Sequence, residues 1–169
     1  MLISWMGRYR AIVEALVRHG NIVARCVNIK GEIYPGIFLT QQEWQVLEYI
    51  IEHEDDDSNM IRISERLAIP QSSFSKITKT LYEYKLVARY RAAGNRKNII
   101  LKSTEKGQEI YTYYSNVISS GAFQQFFQNL ESLSDEQLAI MTRALIELDN
   151  TIDNDSRDVS KKELIPLDD

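Results

Sequence analysis

The chain is punctuated most sharply at Ala68-Ile69-Pro70. Proline has no amide hydrogen and a fixed φ, so it breaks a helix interior but suits the first turn of a new one. Beyond it, Phe74, Ile77, Leu81 and Tyr84 recur at spacings of three and four. That stripe predicts a helix over about 70–84 with one buried face. Before it, Ile63 and Leu67 predict a short helix over 60–67. A short helix, a tight break and a second helix form a helix-turn-helix.

The polar face of helix 70–84 has an unusual composition. It carries Gln71, Ser72, Ser73, Ser75, Lys76, Lys79 and Thr80, with no acid before Glu83. A hairpin follows, with strands at Leu86 to Arg91 and Asn98 to Lys102 and a turn at Ala93-Gly94-Asn95. Arg89, Arg91, Arg96 and Lys97 crowd its far end. The whole chain has a net charge of −4, but Arg62 to Lys106 holds eleven Lys/Arg against three Asp/Glu. A basic block inside an acidic protein is a local electrostatic footprint, and the local field governs phosphate contact.

These parts suit a duplex. The major groove admits one helix, and side chains near that helix's N-terminus read base edges. Short hydroxyls allow close approach, and the helix N-terminus favours phosphate. A basic hairpin can reach the flanking backbone or minor groove. The expected DNA contacts are Gln71, Ser72, Ser73, Ser75, Lys76, Lys79, Arg89, Arg91, Arg96 and Lys97.

The remaining sequence reads as mostly helical, and three prolines and seven glycines in 169 residues agree. Tyr9, Ile12, Leu16, Val23 and Val27 predict a first helix over about 4–28, followed by a connector with Gly31, Pro35 and Gly36. Thr40-Gln41-Gln42-Glu43 is a capping box that opens a helix ending near His53, before a polar loop from Glu54. After the hairpin, a helix is expected from Ser103 or Thr104 to Leu133, bent at Ser119-Ser120-Gly121. Ser134 to Gln137 is a second capping box. It starts a helix with Leu138, Met141, Leu145, Leu148 and Ile152 in register. The expected fold is mainly α with a small β-hairpin wing. Its expected divisions are a dimerisation helix and connector over 1–38, a winged helix-turn-helix over 39–103, dimerisation helices over 104–152 and a polar tail over 153–169. A small winged domain cannot cover the apolar surface of the fifth and sixth predicted helices, among them Phe123, Phe126 and Phe127, so a homodimer is expected.

This order of parts resembles the MarR family of bacterial transcriptional regulators from about residue 8 to 152. Ile63 to Val87 looks like that family's helix-turn-helix, and Asn95-Arg96-Lys97 through Thr104-Glu105-Lys106-Gly107 looks like its wing signature. The resemblance implies a homodimer on an inverted-repeat operator, and in many relatives release by a small aromatic ligand. The chain departs from the pattern at four places. Asn95 replaces an acid, Lys97 an arginine, Ser103 a leucine, and Lys85 the glycine that ends the recognition helix.

Tyr34, Phe38, Trp44, Tyr111 and Tyr114 are candidate liners of a ligand cavity. No cofactor or metal is expected: two histidines and one cysteine make a poor ligand set. Cys26 has no evident activating neighbour for redox sensing. No signal peptide or membrane span is read, and a cytoplasmic regulator is expected. Two other readings compete: a winged-helix protein–protein module without DNA binding, and an enzyme. The second lacks any phosphate loop or nucleophile motif.

Overall fold

The computed structural model describes residues 5–54, 60–91 and 99–160, with side chains to 154. A 3₁₀ turn at Gly7–Tyr9 leads into α1 (Arg10–Cys26). A small hairpin, β1 (Gly31–Tyr34) and β2 (Ile37–Leu39), precedes α2 (Gln41–Glu52). Next come α3 (Met60–Arg66), α4 (Gln71–Glu83) and a second hairpin of β3 (Val87–Arg91) and β4 (Ile99–Ser103). The C-terminal helices are α5 (Glu105–Ser120), α6 (Gln124–Leu130) and α7 (Asp135–Ser160). Two compact units result, Met1–Val117 and Ile118–Asp169.

The core of the first unit lies between α2, α3, α4 and the second hairpin. Leu47, Phe74, Leu81, Leu86 and Val87 are almost fully buried there, with Ile63, Leu101 and Ile110 around them. Thr40 caps α2 as its sequence predicts: its hydroxyl accepts from the Glu43 amide at 3.2 Å, and the Glu43 carboxylate accepts from the Thr40 amide at 2.7 Å. Glu43 is buried, and Lys30 Nζ stands 3.4 Å from its other oxygen. The Ser134 box forms in the same way, with Gln137 as the reciprocal partner.

Several boundaries differ from expectation. The connector is a hairpin. Gly36 takes φ 77° in the Tyr34-Pro35-Gly36-Ile37 turn, where glycine meets no steric cost, and its amide donates to Glu32 Oε1 at 2.8 Å. The expected helix to Leu133 is two helices, because the chain turns at Gly121 and restarts at Gln124. The last helix passes Ile152 and runs to Ser160, so the polar segment begins as helix. Polar residues do not stop a helix by themselves, and no proline or glycine falls between 135 and 160.

Candidate nucleic-acid interface

α4 begins after Pro70, which stands at the N-cap with ψ 138° rather than at the first helical position. Phe74, Ile77, Thr78 and Leu81 anchor the helix in the core. At 3.6 residues per turn the opposite side falls on Gln71, Ser72, Ser75, Lys76, Lys79, Tyr82 and Glu83, and all seven are exposed. Ser73 is half-buried on the flank that it shares with Thr80 and Tyr84. Lys79 Nζ lies 3.8 Å from Glu83 one turn later.

The second hairpin adds its charge beside this face. Val87 pairs with Ser103, Arg89 with Leu101 and Arg91 with Ile99. Directly opposed residues share a face of an antiparallel ribbon. Arg89 and Arg91 therefore lie on the same face as the buried Val87 and Leu101, which is the face turned to the helices. Arg89 crosses over to α4, with its Cζ 4.7 Å from the centre of the Tyr82 ring. Arg96 and Lys97 lie outside the described residues.

Both ends of the turn-and-helix unit are set by left-handed residues. Ala68 has φ 51°, and its amide and that of Ile69 donate to Glu65 O and Ser64 O. Lys85 has φ 62°, and its amide and that of Leu86 donate to Tyr82 O and Leu81 O. Both are Schellman ends, where a left-handed residue normally costs an L side chain some energy and glycine none. Lys85→Gly is expected to raise the unfolding free energy by about 1 kcal/mol, read from urea melts, with DNA affinity unchanged.

The start of α5 closes over the end of α4. Lys106 Nζ donates to Tyr84 O at 3.0 Å, the Thr104 hydroxyl donates to Lys85 O at 2.7 Å, and the Thr104 amide donates to Leu86 O at 3.0 Å. The same hydroxyl accepts from the Gly107 amide at 3.0 Å and so caps α5. Gly107 packs against the Leu86 carbonyl so closely that a Cβ would overlap its oxygen. This gives the Thr104-x-x-Gly107 spacing a physical reason. Ser103 is also occupied. Its amide and hydroxyl both donate to Glu54, which ties the residue just past the α2 C-cap to the base of the wing, and Gln108 Nε2 donates to the Ser103 hydroxyl at 2.9 Å.

The candidate ligand residues are only partly brought together. Trp44 and Tyr114 stack at 4.0 Å, and Tyr111 lies 6.1 Å from Tyr114. The Trp44 indole nitrogen is buried and has no hydrogen-bond partner among the described residues. Burial and the adjoining Glu48 carboxylate push the Tyr111 phenol far above its ordinary value, and burial then Glu48 raise Tyr114. Tyr34 meets Tyr113 edge-on at 5.4 Å instead, and Phe38 is exposed between the buried Ile37 and Leu39. Cys26 ends α1, half-buried. Among the described residues, no group of three His, Cys, Asp or Glu could hold a metal ion, and no helix is long and apolar enough to cross a membrane.

Two features lay beyond the sequence reading. Ala68 gives no sign of a left-handed conformation, because it is not glycine. Tyr82 follows Ser75 and Lys79 at helical spacing, which places it on the exposed stripe, but its pairing with Arg89 depends on the register of the hairpin.

Comparison with known proteins agrees with this geometry. Residues 39–107 match the winged helix DNA-binding domain family. The HTH-type transcriptional regulator PchR of Bacillus subtilis is 24% identical over 113 residues, covering 67% of this chain. The chain spans 65% of that relative's length. The crystal structure of Streptococcus pneumoniae FabT in complex with DNA superposes with a TM-score of 0.58 at 20% identity, covering 86% of this chain and 98% of FabT. A MarR/EmrR family transcriptional regulator from Acinetobacter sp. ADP1 gives 0.58 at 19% identity, covering 86% and 96%. The family model is that of a DNA-binding domain, and the superposed structures share its winged-helix fold. Residues 39–107 thus match the winged helix DNA-binding domain family, and the chain shares the fold of solved MarR-family transcriptional regulators.

Proposed function

We propose that the chain is a sequence-specific double-stranded DNA-binding transcriptional regulator, acting in the cytoplasm as a homodimer on an inverted-repeat operator. One observation carries this reading: Lys76 and Lys79 lie on the exposed face of α4, and the exposed Arg89 of the wing meets that face at Tyr82. Gln71, Ser72 and Ser75 stand at the start of that face, where base edges are read. Ser73 contributes from its flank, and Arg96 and Lys97 extend the wing's reach to phosphate.

Homodimerisation is supported by apolar surface left exposed among the described residues. None of the seventeen residues of α1 is buried, and Ile12, Val17 and Ile22 are exposed on it. Phe123, Phe126 and Phe127 form an exposed ring cluster, and Leu145, Leu148 and Ile152 are exposed along α7. A twofold axis would set two recognition helices about one DNA turn apart, ~34 Å. The Trp44, Tyr111 and Tyr114 cluster is where a small aromatic ligand would act, because the buried indole N–H has no partner among the described residues and would be a polar anchor in an apolar setting.

Selection from a random duplex pool tests the reading. The enriched sequences should be inverted repeats with half-site centres about 10 base pairs apart. Retention of the pool without enrichment would remove the sequence-specific claim, and single half-sites would remove the dimer.

A further inference from the structure

Tyr82 is the one large aromatic on the exposed stripe of α4, and direct reading of bases does not account for it. It sits in the last turn of the helix, one residue from its C-terminal end and away from the residues best placed to enter the groove, and it keeps 49% of its surface exposed. Above its ring lies the Arg89 guanidinium, 4.7 Å from the centroid. Glu83, the nearest acid in sequence to Arg89, is engaged by Lys79 instead.

We propose that Tyr82 is a positioning residue for the wing. Its ring holds Arg89 against the recognition helix, so that helix and wing present their charge to one stretch of duplex phosphate. The inference rests on the DNA-binding reading above. Its chemistry follows from the shape of guanidinium. The positive face of the plane meets the negative face of the ring, while the N–H donors point outward in the plane and stay free for phosphate oxygens. Arginine has many rotamers, and fixing it before the encounter reduces what binding must order. Arg89 stands at the middle of β3, opposite the buried Leu101, so its backbone is fixed while its side chain alone is loose. The ring supplies the missing restraint.

Duplex titrations over a range of salt test this in the full-length protein with four variants: Arg89→Ala, Tyr82→Phe, Tyr82→Leu, and Tyr82→Leu combined with Arg89→Ala. The loss of Arg89 from both protomers should make the slope of log affinity against log salt shallower by about 2. Tyr82→Leu keeps bulk but loses the ring face. It should weaken binding by about 2–5-fold and also flatten the slope. Tyr82→Phe should match the natural protein, because the ring and not the hydroxyl does the holding. In the Arg89→Ala background, Tyr82→Leu should cost nothing further.

An equal loss from Tyr82→Leu with and without Arg89 would mean that the ring touches the duplex itself, and would overturn the proposal. So would a Tyr82→Phe variant as weak as Tyr82→Leu, or a Tyr82→Leu variant that binds like the natural protein. Each of these outcomes leaves the DNA-binding reading standing. If the natural protein ignored duplex even at low salt, that reading would fall and the proposal with it.

Discussion

Replacing Gly107 by alanine should lower the unfolding free energy of the winged helix by about 3 kcal/mol, read as a fall in the urea midpoint with an unchanged slope. The cost comes from backbone rather than from a movable side chain. A Cβ at Gly107 would overlap the Leu86 oxygen and lie 3.0 Å from the Leu86 carbonyl carbon and 3.2 Å from its Cα. The same carbonyl accepts from the Thr104 amide at 3.0 Å. Moving α5 outward to admit the methyl group would stretch this bond, the Thr104 hydroxyl bond to Lys85 O and the Lys106 bond to Tyr84 O together. Those bonds close the end of the recognition helix, so the damage should spread to DNA binding through folding. Gly20→Ala is the matched control. It lies within α1 with nothing within 4 Å of its Cβ, and it should change stability by less than about 1 kcal/mol. A Gly107→Ala protein as stable as its parent would show that α5 does not pack as described.

Removing Lys76, Lys79, Arg89 and Arg91 together, each to alanine, should abolish most duplex affinity. The four side chains are exposed, so the fold should survive with its melting temperature nearly unchanged. Each phosphate contact contributes about 0.9 to the slope of log affinity against log salt, so the quadruple variant, which lacks eight such contacts in the dimer, should lose about 7 from that slope. At moderate salt the affinity should fall on the order of 100-fold or more. The loss should be similar for all sequences if these cations meet phosphate, since phosphate contacts carry no base readout. A Ser72→Ala or Gln71→Ala change should do the opposite, altering preference among sequences with little effect on the slope.

Much of this arrangement is legible in the residues because local chemistry decides it. The Thr40 capping box fixes the start of α2 by itself, and the Phe74, Ile77 and Leu81 stripe fixes which side of α4 faces water. The first hairpin escapes periodicity because β2 has only three residues, too few for alternation to stand out. Its signal is the Pro35-Gly36 pair, which favours a turn with a left-handed second position. The break at Gly121 is visible as a bend but not as a stop, since a glycine in a helix costs only about 1 kcal/mol. Residue type alone groups Phe38 with Trp44, yet Ile37 and Leu39 are buried and alternation sends Phe38 outward. The left-handed turns at Ala68 and Lys85 are tertiary demands imposed on ordinary residues. The Lys85 turn is expected only through the resemblance, where a glycine usually stands. The pairing of Tyr82 with Arg89 depends on strand register, which no single segment specifies.

The most direct test of the whole account is the salt dependence of duplex binding by the intact protein. A surface that neutralises phosphates with side chains from a helix and a wing, doubled by a second copy, should lose affinity linearly in log salt with a slope of at least about −7. Binding that is absent at low salt, or present but indifferent to salt, would mean that these cations meet something other than a nucleic-acid backbone.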